Sequence, residues 1–210
     1  MTGVTQAVFM NQRSFGLVIG QAYEGGFFAG KISTAGNGIA DYNLVIAPKS
    51  TGENISIQWQ TSSTSTPGTS SVIDGPTNSS NMNDASHPAA QFCESLSIGG
   101  YSDWYMPAQN ELEVCYYNLK PTTVNNNTSS GTNTNAVPSR GSNYTTSTPA
   151  QTTATDFKDG NSQAFAAAAY WSSTESSAAD ARQQSFSNGS QGSGAKTVVG
   201  HVRAVRRVAV

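Results

Sequence analysis

The sequence predicts an α+β protein built from short antiparallel strands, two helices and long polar loops. Three observations carry this expectation. Two stretches place apolar residues at helical spacing, each opened by a proline. Several short runs of aromatic and β-branched residues are separated by Gly, Asn and Ser turns. Two longer stretches, 61–84 and 121–164, are dominated by Ser, Thr, Asn and Gly and hold few apolar residues.

In order along the chain, residues 1–19 carry scattered apolar positions without a period. They suit an N-terminal arm or strand that contacts a neighbour in an assembly. Residues 20–210 form a single domain with a long insertion at 121–164. "GQAYEGGFFAGKI" reads as hairpin turns between short strands. "YNLVIAP" is a buried strand stopped by Pro48, and "NISIQWQ" sets Ile55, Ile57 and Trp59 on one face of a half-buried strand. Residues 61–84 read as polar loop.

The first helix starts near Ser86 as N-cap, with Pro88 in its first turn, where the missing N–H costs nothing. Its stripe is Ala89, Phe92, Cys93 and Leu96, and Gly99 and Gly100 end it. The second helix follows Pro107, with the stripe Leu112, Cys115, Tyr116 and Leu119, and stops at Pro121. Both cysteines lie on these stripes and read as buried thiols. A loop as long as 121–164 is usually functional or disordered, and the expectation here is that a neighbouring subunit holds it. The C-terminal third is strand-like: "AYWSSTE", "ARQQSFSNG", a flexible "GSGAKT" turn, and "VRAVRRV", which alternates Val202, Ala204, Arg206 and Val208 against Arg203, Val205 and Arg207.

Charged residues are 11% of the chain, against about 25% in an ordinary domain. The net charge of −2 and the lack of a basic patch argue against a nucleic-acid partner. The one basic cluster, Arg203, Arg206 and Arg207, sits within a strand-like run. No apolar run reaches membrane-spanning length, and the first residues lack the basic start and apolar core of a secretory signal. The chain therefore reads as one made in a cytoplasm, with no membrane insertion. Cys93 and Cys115 match neither a zinc spacing nor a redox motif. No metal and no cofactor is expected.

"GGYSDWYMPAQNELE", "YWSSTE", "ARQQSFSNG" and "VRAVRRV", in that order, resemble the C-terminal domain of Legionella collagen-like protein. That family occurs widely in bacterial and phage proteins. The resemblance implies a C-type-lectin-like fold, shared with formylglycine-generating enzymes and the receptor-binding tip proteins of some phages. It also implies that Trp104 and Trp171 are core residues, as Trp59 is by its pattern, that Asp103 caps a turn, and that Tyr101 packs. The family tends to have Ser or Thr where Ala108 stands. Glu111 can then supply only half a capping box, a loss of about 1 kcal/mol.

The resemblance does not carry the chemistry of its enzyme relatives. Neither His87 nor His201 sits in a triad motif. "GSGAKT" fails as a phosphate loop. The sugar-binding motifs of calcium-dependent lectins are absent. Three functions follow. The leading one is a non-enzymatic virion surface protein of a bacteriophage, at the tail fibre, tail tip or head exterior, that attaches to a host-surface glycan or protein. Its partners are other virion proteins and further copies of itself, a homo-oligomer such as a trimer. The expected ligand face lies on the last strands and their loops, at Glu175, Ser177, Asp180, Arg182, Gln184 and the Asn188–Lys196 turn, with Tyr144 on the long loop. The second is a structural decoration or adaptor protein with no ligand. The third is an enzyme, which would require His201 beside Cys93 or Glu175 in a deep pocket.

Overall fold

The computed structural model describes residues 16–210, so most of the expected N-terminal arm lies outside the described residues. Two five-stranded sheets form the frame. The first runs β1 (Ala22–Tyr23), β2 (Gly26–Ile32), β3 (Tyr42–Ile46) and β10 (Val205–Ala209), with β5 (Ala136–Val137) pairing β2. The second runs β4 (Glu53–Gln58), β9 (Val199–Arg203), β6 (Ala169–Glu175), β7 (Asp180–Ser185) and β8 (Gln191–Ala195). Every named pairing is antiparallel except β6 with β9, which meet in parallel at Tyr170 and His201. The expected α+β class with short antiparallel strands is what the chain adopts.

"VRAVRRV" is not one strand. Its chain leaves the second sheet at Arg203 and enters the first at Val205. Ala204 is the crossing point, held by bonds between its backbone and those of Ala47 and Gly52. This stitches the sheets together and puts all three arginines to internal use. Arg203 donates to the carbonyls of Ala47 and Gln163. Arg206 forms a fork with both oxygens of Asp103. Arg207 donates to Glu111. Asp103 thus anchors a strand across the fold; the expected turn cap is a bidentate ion pair.

Among the described residues four α-helices complete the fold: α1 (Lys49–Gly52), α2 (Gly75–Ser80), α3 (Pro88–Glu94) and α4 (Gln109–Leu119). α2 lies inside the stretch expected to be loop, capped by Asp74 and started by Pro76. α3 begins at Pro88 as expected, but its N-cap is His87 rather than Ser86. It ends at Glu94, and Gly99 and Gly100 instead turn a small Ile98–Tyr101 bridge. In α4 the stripe Leu112, Cys115, Tyr116 and Leu119 is buried. Glu111 reaches back to accept from the Ala108 N–H at 2.8 Å, the half capping box the sequence allows.

Two apolar clusters make the core. One gathers Ile32, Leu44, Leu112, Tyr116, Phe165 and Phe186. The other gathers Trp59, Trp104, Trp171, Cys93 and Val202, so the three tryptophans are core residues. The cysteines are free thiols in separate clusters, and burial pushes both well above the ordinary thiol range. In β4 the expected face breaks: pairing with β9 shifts register between Asn54 and Ile57, which leaves Ile55 exposed.

Candidate functional site

The expected ligand face is partly a set of internal clamps. Lys196 is fully buried. Its Nζ meets Glu175 Oε1 at 2.5 Å and the Thr64 carbonyl at 2.8 Å, and it lies 4.6 Å from the centre of the Trp59 ring. Glu175 Oε1 also accepts the Thr66 N–H, and Oε2 accepts from Ser65. Glu175 and Lys196 therefore fasten the 61–69 segment onto the second sheet, and neither is free to hold a ligand. "GSGAKT" is consequently a strand end and an anchored lysine, not a flexible turn. Gln184 is buried and donates to the Gly189 carbonyl at the β7–β8 turn. Asn188 receives the Ser190 N–H across that turn and its carbonyl takes the Asn127 N–H. Ser177 and Asp180 bond each other in the exposed β6–β7 turn. Arg182, mid-strand on β7, is exposed. Of the predicted residues, Arg182, Ser177, Asp180 and Asn188 reach the surface. Glu175, Gln184 and Lys196 serve the fold.

Beside these residues the second sheet carries a recess that the sequence did not single out. It has a volume of ≈ 330 Å³ and is lined by Trp171, Gln183, Gly194, Gly200, His201 and the exposed Val198 and Val199 among others. Trp171 is fixed by its indole N–H bond to the Ile57 carbonyl at 3.2 Å. Two glycines make room for the ring: a Cβ on Gly200 would stand 2.6 Å from the indole nitrogen, and one on Gly194 would stand 3.0 Å from the ring carbons. His201 packs on Tyr170 with ring centres 5.0 Å apart, and its Nδ1 is buried without a partner among the described residues. Burial, with nearby Lys49 adding to it, pushes the His201 pKa down, which favours the neutral ring. The recess thus offers an aromatic edge, an amide and a neutral imidazole beside two valines. This set suits a polar, uncharged ligand.

The long loop makes an extensive set of contacts within its own chain. Glu113, fully buried on α4, accepts from Arg140, from Asn133 Nδ2 at 2.5 Å and from the Tyr144 hydroxyl at 2.7 Å. Asn126 accepts the Tyr116 hydroxyl, and Lys120 Nζ donates to the carbonyls of Val124 and Pro149. Tyr144 is buried, so it is a strut of the loop and not an exposed contact residue.

One constellation has the order of a catalytic relay. Asp84 Oδ1 lies 3.0 Å from His87 Nδ1, and His87 Nε2 lies 2.9 Å from Thr66 Oγ1. The carboxylate selects the tautomer whose Nε2 can accept the hydroxyl proton. Burial is the largest single influence and pushes the Asp84 carboxyl up, but the bonds from His87 and Ser86 together outweigh it and hold the carboxyl below its ordinary range. Thr66 and His87 are nevertheless buried, His87 edge-on against Trp59, and neither lines any of the four cavities described. The arrangement ties the 61–69 segment to the start of α3. A nucleophile needs access as well as a base. The pairs that an enzyme reading required are not formed: Glu175 is engaged by Lys196, and Cys93 lies in the tryptophan cluster.

Among the described residues no helix is long and apolar enough to cross a membrane. The chain matches the Lcl C-terminal domain family over residues 51–206 and belongs to that family. The match spans both clamps, the recess and the long loop, and points to a surface, adhesin-like domain. No curated protein matches the chain.

Proposed function

We propose that this chain is a non-enzymatic surface protein of a bacteriophage virion, carried on the tail fibre, tail tip or head exterior. In this proposal its C-type-lectin-like domain attaches the particle to a host-surface glycan or protein. The observation that carries the proposal is the recess on β6, β7, β8 and β9. It is of ligand size, built on strands rather than on a mobile loop, and kept open by Gly194 and Gly200 against Trp171. Rigid strands hold recognition groups with little ordering cost on binding. Family membership supports surface display. Further copies of the chain and other virion proteins are the proposed partners.

The test is saturable binding of the purified protein to intact bacterial cells, with gold-labelled antibody used to locate the protein on phage particles. Labelled particles together with saturable binding support the proposal. Labelled particles with no binding to any susceptible strain would leave a decoration or adaptor protein instead.

A further inference from the structure

A second cavity lies away from the recess, in the long loop. It has a volume of ≈ 210 Å³ and is lined by Tyr117 from α4 together with Arg140, Gly141, Ser142, Asn143, Tyr144, Thr145 and Thr148. We infer that it is a subsite for one neutral saccharide unit.

Four observations converge. The wall contains aromatic surface: Tyr117 is half-buried, with Tyr144 inclined beside it, ring centres 6.3 Å apart. The rim is dense in uncharged hydrogen-bonding groups. Ser142, Asn143, Thr145 and Thr148 are all exposed. Asn143 uses its carbonyl oxygen to accept from Thr132, which leaves the amide N–H groups to face a ligand. The one charge in the wall is already neutralised, because the Arg140 guanidinium is paired with buried Glu113. It lies over the Tyr117 ring at 4.0 Å, and its Nε is buried without an acceptor among the described residues. Finally, the site is preorganised by Glu113, which holds Arg140, Asn133 and Tyr144 at once.

These features select among ligands. An anion gains little from an arginine whose charge is spent, and it must approach the Glu113 carboxylate behind it. An apolar ligand would strand the rim hydroxyls and amides. A polyhydroxy ring has an apolar face for Tyr117 and hydroxyls for the rim, and a cavity of this size holds a single ring. The subsite goes beyond the proposed recess, and its use in attachment rests on that proposal. Its binding does not.

The experiment is a backbone-amide NMR titration of the full chain with glucose, galactose, mannose and N-acetylglucosamine, and with glucuronate as the charged counterpart. Single-sugar sites bind weakly, so titrations run to about 100 mM, well above the millimolar dissociation constants expected of such contacts. The expected result is saturable shifts confined to Tyr117 and residues 140–148 with at least one neutral sugar. Affinity should fall at least fivefold in Asn143→Ala, which changes only an exposed side chain, and should be retained in Tyr117→Phe. Absence of shifts with every neutral sugar overturns the inference. So does tighter binding of glucuronate, or an unchanged affinity in both Asn143→Ala and Tyr117→Ala. Loss of these shifts alongside intact cell binding would refute the subsite and leave the recess standing. Shifts without cell binding would do the reverse.

Discussion

Replacing Glu113 by Gln tests what holds the long loop. The side chain is fully buried and accepts three hydrogen bonds, from Arg140, Asn133 and Tyr144. Glutamine keeps the shape and one acceptor, but removes the charge and turns an NH₂ group toward donors. It also leaves the Arg140 guanidinium, whose side chain is 15% exposed, without its counter-ion. Breaking a buried pair from one side costs about 3–5 kcal/mol, and the retained acceptor places this change near the lower end, about 3 kcal/mol. In a chain of this length each kcal/mol moves the melting temperature by about 2–4 °C, so Glu113→Gln should melt about 6–12 °C lower. Thermal unfolding followed by circular dichroism measures the shift. Limited proteolysis should show cleavage within 122–152 before the rest of the chain. Arg140→Gln combined with Glu113→Gln should cost less than the sum of the two single changes, because neither charge is then stranded. A shift below about 1 kcal/mol for Glu113→Gln, with strictly additive variants, would refute the view that this ion pair anchors the loop.

Other expectations follow from the same contacts. Lys196→Met should destabilise by about 3 kcal/mol, the cost of stranding a buried partner, and should free the 61–69 segment to proteolysis. Gly200→Ala should displace the Trp171 indole, change its fluorescence and cost about 1–3 kcal/mol of overpacking. Neither Cys93 nor Cys115 should react with a disulfide reagent at pH 8 until the protein unfolds, since both thiols are buried with raised pKa values. His201 has a folded-state pKa below its ordinary value of 6.5. The unfolded chain therefore takes up the proton first, and stability falls as pH drops below about 6.5. His201→Gln should flatten that fall in a melting series. Glu53, whose pKa burial raises above 4.5, acts in the opposite sense and should persist in the variant.

What was legible in the sequence was local. The α4 stripe, the Pro107 start, the half cap at Glu111 and the burial of Trp59 follow from spacing within a few residues, whereas the core places of Trp104 and Trp171 came with the family resemblance. Ordinary polar loops could not be read the same way. Glu113 and Arg140 are 27 positions apart, and Thr66 and His87 are 21 apart. Nothing in the spacing of either pair announces that they meet. One signal was available. The chain has only 13 acidic residues, and two of them flank the apolar stripe of α4. Charges so scarce, placed on a helix buried nearly all round, imply partners. The same scarcity explains why Glu175 and Lys196 looked like surface contacts: each closes a strand end by sequence, and only the fold shows them closing on each other. The recess was hidden for a related reason. Trp171, Gln183 and His201 come from three strands, and Gly194 read as part of a flexible turn until the indole is seen beside it and Gly200.

The most direct test of the attachment proposal is cell binding by a double variant at the recess, Gln183→Ala with His201→Ala, compared with the unaltered protein and with Asn161→Ala, an exposed change on the 158–164 segment. All three should first be shown to melt cooperatively. Saturable binding by the unaltered protein and by Asn161→Ala, reduced at least tenfold in the double variant, is the predicted result. Equal binding by all three folded proteins would contradict it and move the attachment surface away from the last strands.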